Sequence, residues 1–243
     1  MPGAFRVQLA ALPQPGSVAL RLCAGSGIAR LTLSNAARRN ALSGPMMAQL
    51  ADAVDTLEEW RDGGAVVLEA EPSVSGARHF CAGADLQLVR SFLHTPGRGL
   101  DMSALMSETL ERLRQLPLLS IGAIDGAAMG GGAELATATD WRVMAPDARL
   151  RFVQATLGVS TGWGGATRLS AIVGREAALR LLVLAPTVLA DEAAALGLAD
   201  AVCAPDEPAA DASLALARAV LGNAGSVGAV RALKAAVAAA GAA

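Results

Sequence analysis

Three consecutive glycines, Gly130, Gly131 and Gly132, stand where an apolar run meets a helix-forming segment. Residues 116–124 are largely apolar and read as a buried strand. Asp125-Gly126 reads as a turn, and the stretch from Gly131 to about Thr139 as a helix. Glycines at a helix start leave backbone N–H groups approachable, and the helix dipole adds partial positive charge there. Such a junction can hold an anion, or an oxygen that becomes one. Glu134 follows within the first turn. Taken alone, the stretch is explained equally well by glycines that merely let a helix pack closely on a sheet.

Two other glycine-bearing junctions, Gly83-Ala84 and Gly162 to Gly165, also read as openings of helices. Two such N-termini brought together could aim two N–H groups at one oxygen, forming an oxyanion hole. Spacing along the chain cannot bring them together; only a fold can.

The rest of the chain sets the architecture. Val18–Cys23 and Ile28–Leu33 alternate as a hairpin around Gly25-Ser26-Gly27. A polar loop carrying Arg38 and Arg39 precedes a helix from Gly44 to Trp60, whose Met47, Leu50, Val54 and Leu57 fall at helical spacing. Ala65–Leu68 reads as a strand, Met102–Leu116 as an amphipathic helix, and Trp141–Met144 and Leu150–Val153 as further strands. Helices are expected over about 165–173, 175–184, 188–196, 208–222 and 225–239. Strands alternating with helices make this an α/β chain.

With 243 residues, 53% of them hydrophobic and 17% charged, the chain can bury a large core. A net charge of −2 with no long basic run argues against nucleic acid as a partner. No apolar segment is long enough to span a membrane, so no membrane partner is expected. Cys23, Cys81 and Cys203 are scattered and odd in number, which fits a reducing, cytoplasmic setting better than a disulfide framework. No metal spacing surrounds His79 or His94, which read as surface or loop residues, and Cys81 reads as a small core residue.

Competing motifs fail on inspection. A dinucleotide fingerprint starting at Gly130 would need glycine where Leu135 stands, and no G-K-[ST] exists. Gly158-Val-Ser160-Thr-Gly162 matches a nucleophile elbow, but that class needs a histidine after the serine, and both histidines precede Ser160.

His79-Phe-Cys-Ala-Gly-Ala-Asp-Leu86, Asp125-Gly-Ala-Ala-Met-Gly-Gly-Gly-Ala-Glu-Leu135 and Gly158 to Leu169 together resemble the signatures of the crotonase superfamily, the enoyl-CoA hydratase/isomerase family. Arg39-Asn40-Ala41-Leu42 resembles its coenzyme A-facing loop. The resemblance implies a crotonase (ClpP/crotonase-like) fold of repeated ββα units with a helical C-terminal region. It implies an acyl-CoA substrate, with coenzyme A carried by that substrate and no separate cofactor. The thioester oxygen would be held by the N–H groups of Ala84 and Gly131, and Arg39, Ala41, Ala82 and Asp85 would face coenzyme A. A homotrimer or a dimer of trimers is the usual assembly. On this basis residues 1–16 read as a loosely ordered leader, 17–185 as the core, and 186–243 as a helical C-terminal region shorter than is usual for the family.

The family's hydratases use two glutamates. The first maps to Glu134, the second to Gln154. Glutamine cannot exchange a proton, which speaks against two-carboxylate hydration. Arg142 to Val153 and Gly162-Trp-Gly-Gly-Ala-Thr-Arg-Leu169 resemble the ethylmalonyl-CoA decarboxylase branch, which also has a tryptophan before the paired glycines and a non-acid, histidine, where Gln154 stands here. The expected chemistry is decarboxylation of a short alkylmalonyl-CoA within fatty acid metabolism. Glu134 would orient the departing carboxylate or help protonate Cα, and Gln154 and Trp163 would shape the acyl pocket. The alternatives are an enoyl-CoA hydratase or isomerase using Glu134 alone, and a non-catalytic acyl-CoA-binding subunit.

Overall fold

The computed structural model describes residues 2–72 and 78–240. Strands β1 (Ser17–Cys23) and β2 (Ile28–Ser34) form the expected hairpin, pairing antiparallel from Ser17 opposite Ser34 to Cys23 opposite Ile28. Helix α2 (Gly44–Glu59) follows, capped by the Ser43 hydroxyl. Then come β3 (Ala65–Ala70), β4 (His79–Cys81), α3 (Leu86–Ser91) and α4 (Pro96–Gln115). The glycine-rich region supplies β5 (Leu119–Ile124), β6 (Ala127–Met129) and α5 (Gly131–Ala136). Strands β7 (Trp141–Met144) and β8 (Arg149–Arg151) precede helices α6 (Gly165–Val173) and α7 (Arg175–Leu184). The chain continues through β9 (Val188–Leu189), α8 (Ala190–Ala195), β10 (Ala201–Val202), α9 (Ala209–Asn223) and α10 (Val227–Ala240).

The strands make two sheets, one of six in the order β1-β2-β3-β5-β7-β10 and one of four in the order β4-β6-β8-β9. In the larger sheet every pairing after the hairpin is parallel. Parallel strands covered on both faces need apolar residues at successive positions rather than alternate ones. Strand β5 is buried at every residue, and β3 at all but its last. The smaller sheet carries the motif residues: β4 leads into the Gly83-Ala84 junction and β6 into Gly130–Gly132.

Several expectations change. Residues 2–10 are not a loose leader but helix α1 (Pro2–Ala10), which buries Phe5 and Leu9. Arg6 reaches Asp52 and Asp55 on α2, and the Phe5 ring lies 5.9 Å from that of Phe92. A nine-residue helix is marginal alone; packing on α2 stabilises it, and that contact is not written in the local sequence. Helix α4 begins earlier than expected because Thr95 caps it and Pro96 opens it. Helix α5 ends sooner, where the Thr137 hydroxyl donates to the Glu134 carbonyl and the Thr139 hydroxyl to that of Ala136. The region 186–243 is not wholly helical: β9 and β10 each extend one of the two sheets. Two residues are too few to show a periodicity.

Candidate active site

All three glycine-bearing junctions meet at one place. Gly83 adopts φ +93, a value L-residues rarely take, and a Cβ there would lie 3.1 Å from the Gly131 nitrogen. Gly132 packs so closely on β4 that a Cβ would fall 2.0 Å from the Cys81 carbonyl oxygen. From the third junction, the Trp163 indole occupies the space beside Gly131, 2.6 Å from where a Cβ would stand. Gly165 does the same for Glu134, whose Cγ lies 2.4 Å from the Cβ position.

The two expected donors lie on neighbouring backbone segments, since Gly83, one residue before Ala84, approaches Gly131. Leu42 N–H donates to the Gly83 carbonyl at 2.8 Å, and Asp85 N–H to the Leu42 carbonyl at 2.9 Å. This parallel bridge uses the residues on either side of Ala84 and turns the Ala84 N–H away from it. Gly131 is the first residue of α5, where an N–H has no intrahelical acceptor. Ala84 and Gly131 are both half-buried, so a ligand oxygen can reach them.

A groove of about 690 Å³ runs up to Ala84 and Met129. Arg39, Ala41, Ala82 and Asp85 line it, joined by Arg38, His79, Leu86 and Arg149. One wall is a strained loop in which Arg39 (φ 58) and Asn40 (φ 52) are left-handed, at about 1–3 kcal/mol each. Asn40 holds it in place, donating to the carbonyls of Glu71 at 3.0 Å and His79 at 2.8 Å while accepting from Asn35 N–H at 2.9 Å. Asp85 does not offer a free carboxylate. Its Oδ1 caps α3 by accepting from Gln87 N–H at 2.7 Å, and Arg38 pairs with its Oδ2 at 3.0 Å. Among the described residues, Arg39 and Arg149 form no ion pair. The groove therefore presents cations to an anionic ligand.

Behind the donors lies a closed cluster. Glu134, Gln154 and Trp163 are 2%, 8% and 3% exposed. Glu134 Oε1 accepts from Gln154 Nε2 at 2.7 Å; its Oε2 accepts from Trp163 N–H at 2.9 Å and Gly165 N–H at 2.8 Å. Gln154 Oε1 is buried without a partner among the described residues. Arg168, 3% exposed, donates to the carbonyls of Trp163 at 2.6 Å and Glu134 at 3.1 Å. Sequence reasoning missed Arg168, His79 and Arg149. His79, expected at the surface or in a loop, starts β4 and lines the groove. Arg168 lies within the Gly162–Leu169 motif, and its signal was an arginine among apolar helix positions. Cys81 is fully buried, and burial pushes its thiol up to about 12, so it is a core residue and no nucleophile.

The chain matches the family model described as enoyl-CoA hydratase/isomerase over residues 24–242. It is 45% identical to the ethylmalonyl-CoA decarboxylase of Danio rerio over 199 residues, which is 82% of this chain and 64% of that protein. It is 46% identical to the Xenopus laevis ethylmalonyl-CoA decarboxylase over 175 residues, 72% of this chain and 56% of that one. The chain thus matches less than two thirds of these relatives' length. Among solved structures, the enoyl-CoA hydratase from Bacillus anthracis superposes with a TM-score of 0.82 at 28% identity, covering 91% of this chain and 82% of that one.

Proposed function

Because this chain belongs to the enoyl-CoA hydratase/isomerase family and has the crotonase fold, we propose that it removes CO2 from a short alkylmalonyl-CoA thioester. The observation that carries this reading is the neutral Gln154 amide standing 2.7 Å from the Glu134 carboxylate. Hydration of a C=C bond needs proton traffic at two points, and glutamine supplies none. Decarboxylation needs no proton before the C–C bond breaks. It needs an electron sink, and a site that does not repel the substrate's carboxylate. A second glutamate at 154, about 4–5 Å from that carboxylate, would add roughly 3–4 kcal/mol of repulsion at an effective dielectric near 20.

In this reading the thioester oxygen accepts from Ala84 and Gly131 N–H. The bond from Cα to the carboxylate breaks, its electron pair moves onto the thioester as an enolate, and CO2 leaves. Cα then takes one proton, originating in solvent, for each CO2 released. The two donors contribute about 3–4 kcal/mol each to stabilising the enolate oxygen. Trp163 and Gln154 wall the acyl pocket. Arg39, with Ala41, Ala82 and Asp85 along the groove, takes the coenzyme A portion, Arg149 adds to its cationic lining, and His79 lies beside them. No cofactor beyond the substrate's coenzyme A is called for.

The proposal extends to a homotrimer or dimer of trimers acting on acyl-CoA metabolites, including those of fatty acid metabolism, in the cytoplasm. Leu179, Val183, Leu184 and Leu189 are 53–71% exposed around α7 and β9, which supports burial against another copy. The free cysteines support a reducing compartment.

The test is to present the purified protein with ethylmalonyl-CoA, methylmalonyl-CoA and crotonyl-CoA. CO2 release from the first two with little hydration of the third is expected. Fast hydration with no CO2 would install the one-glutamate hydratase instead, and tight binding without turnover a non-catalytic acyl-CoA binder.

A further inference from the structure

We propose that Glu134 is a positioning residue, which locks the Trp163 indole against Gly131, and that it carries no proton in turnover. The inference rests on the reading that the site forms a thioester enolate. Every partner of the Glu134 carboxylate is a donor. Two of them, the N–H groups of Trp163 and Gly165, belong to the backbone and cannot turn round. A proton on Oε2 would set donor against donor there. A proton on Oε1 would require the Gln154 amide to flip.

The Trp163 backbone is gripped on both sides of its Cα. Glu134 takes its N–H, and the buried Arg168 donates to its carbonyl at 2.6 Å. One residue earlier, the Gly162 carbonyl accepts from the Ser107 hydroxyl at 3.1 Å. The indole so placed fills the space beside the Gly131 donor. Displacing it would admit water to an oxygen whose charge must be stabilised by two fixed N–H groups, where a drier site makes each worth more. Glu134 also serves Arg168. Burial disfavours that guanidinium's charge, and Glu134 is the foremost charge that restores it. A carboxylate suits both tasks without ever exchanging a proton.

Replacing Glu134 with glutamine separates positioning from proton transfer. The new amide's Oε1 can accept from both backbone N–H groups, and its Nε2 can donate to Gln154 Oε1, now unpartnered, once that amide flips. The expected result is rescue. Glu134→Ala loses about 10²-fold in kcat through misplacement of the Trp163 loop, Glu134→Gln recovers most of that loss, and the pH profile of kcat keeps its wild-type shape. Hydrogen exchange read on a peptide covering Trp163 and Gly165 should be fast in Glu134→Ala and slow in both Glu134→Gln and wild type. Loss of about 10²-fold in Glu134→Gln with those amides still protected overturns the proposal, because the network would stand and only the proton would be missing.

Should Glu134→Gln fail to fold, Trp163→Ala decides with Glu134 in place: a loss matching that of Glu134→Ala supports positioning, and near wild-type turnover overturns it. Wild-type protein that releases no CO2 overturns the decarboxylase reading and leaves this one to the exchange measurement. There, amides no faster in Glu134→Ala than in wild type overturn it.

Discussion

A methyl group added to Gly83 would stand 3.1 Å from the backbone nitrogen of Gly131. The two glycines come from different junctions, one after β4 and one at the start of α5, and the close approach of the first to the second depends on the missing Cβ at Gly83.

Gly131→Ala keeps its backbone N–H but crowds the space beside it, and should slow CO2 release by about 10²-fold, since a misplacement of about 1 Å can cost that much. The added methyl meets the buried Trp163 ring at 2.6 Å, so the indole must move as well. Turnover, thermal melting and tryptophan emission read the three consequences: a slow, slightly less stable protein with shifted emission. A near-normal rate would place the oxyanion hole elsewhere.

Gln154→Glu would set a second carboxylate where an amide now donates to Glu134 at 2.7 Å. Two carboxyl groups that close cannot both ionise freely, so the pair should share a proton and titrate in two steps. CO2 release at neutral pH should fall at least tenfold, by roughly the repulsion expected from an added carboxylate. It should also acquire a pH dependence absent from the wild type. Undiminished CO2 release, followed across pH, would show that residue 154 does not face the substrate's carboxylate.

Arg168→Met removes donors to the carbonyls of Trp163 and Glu134 and to the Thr137 hydroxyl. Breaking a buried charged network of this kind costs about 3–5 kcal/mol. Urea unfolding should therefore show a large fall in midpoint, and the surviving folded protein should turn over slowly because the Trp163 loop is no longer held. A midpoint unchanged from wild type would reduce Arg168 to a packing residue.

Alkylation should distinguish the cysteines. Cys23 is exposed, and its hydrogen bonds to Ser26 hold its thiol below the ordinary value. Burial pushes Cys203 up, and Cys81 up to about 12, so both resist ionisation at pH 8. Iodoacetamide at pH 8 should therefore modify Cys23 alone until the protein is denatured, as counted by mass. Rapid modification of Cys81 in the native protein would contradict its place in the core.

Local sequence was enough to determine the alternation of strands and helices, the hairpin around Gly25–Gly27, helix α2, and the three glycine-bearing junctions. These depend on periodicity and the absence of a Cβ, which act within a few residues. The motif residues also singled out Glu134 and Gln154, which the structure joins by a hydrogen bond. Tertiary structure alone decided the rest. It docked α1 through Phe5 and Leu9, drew the two-residue strands β9 and β10 into the sheets, and placed His79 and Arg149 on the groove. It set the Trp163 ring on Gly131, buried Arg168 beneath the loop, and enclosed the Glu134 carboxylate among donors from Gln154, Trp163 and Gly165. Those contacts join residues far apart in the chain. What each costs or contributes depends on which partner the other segments deliver, and no pattern within one segment records that.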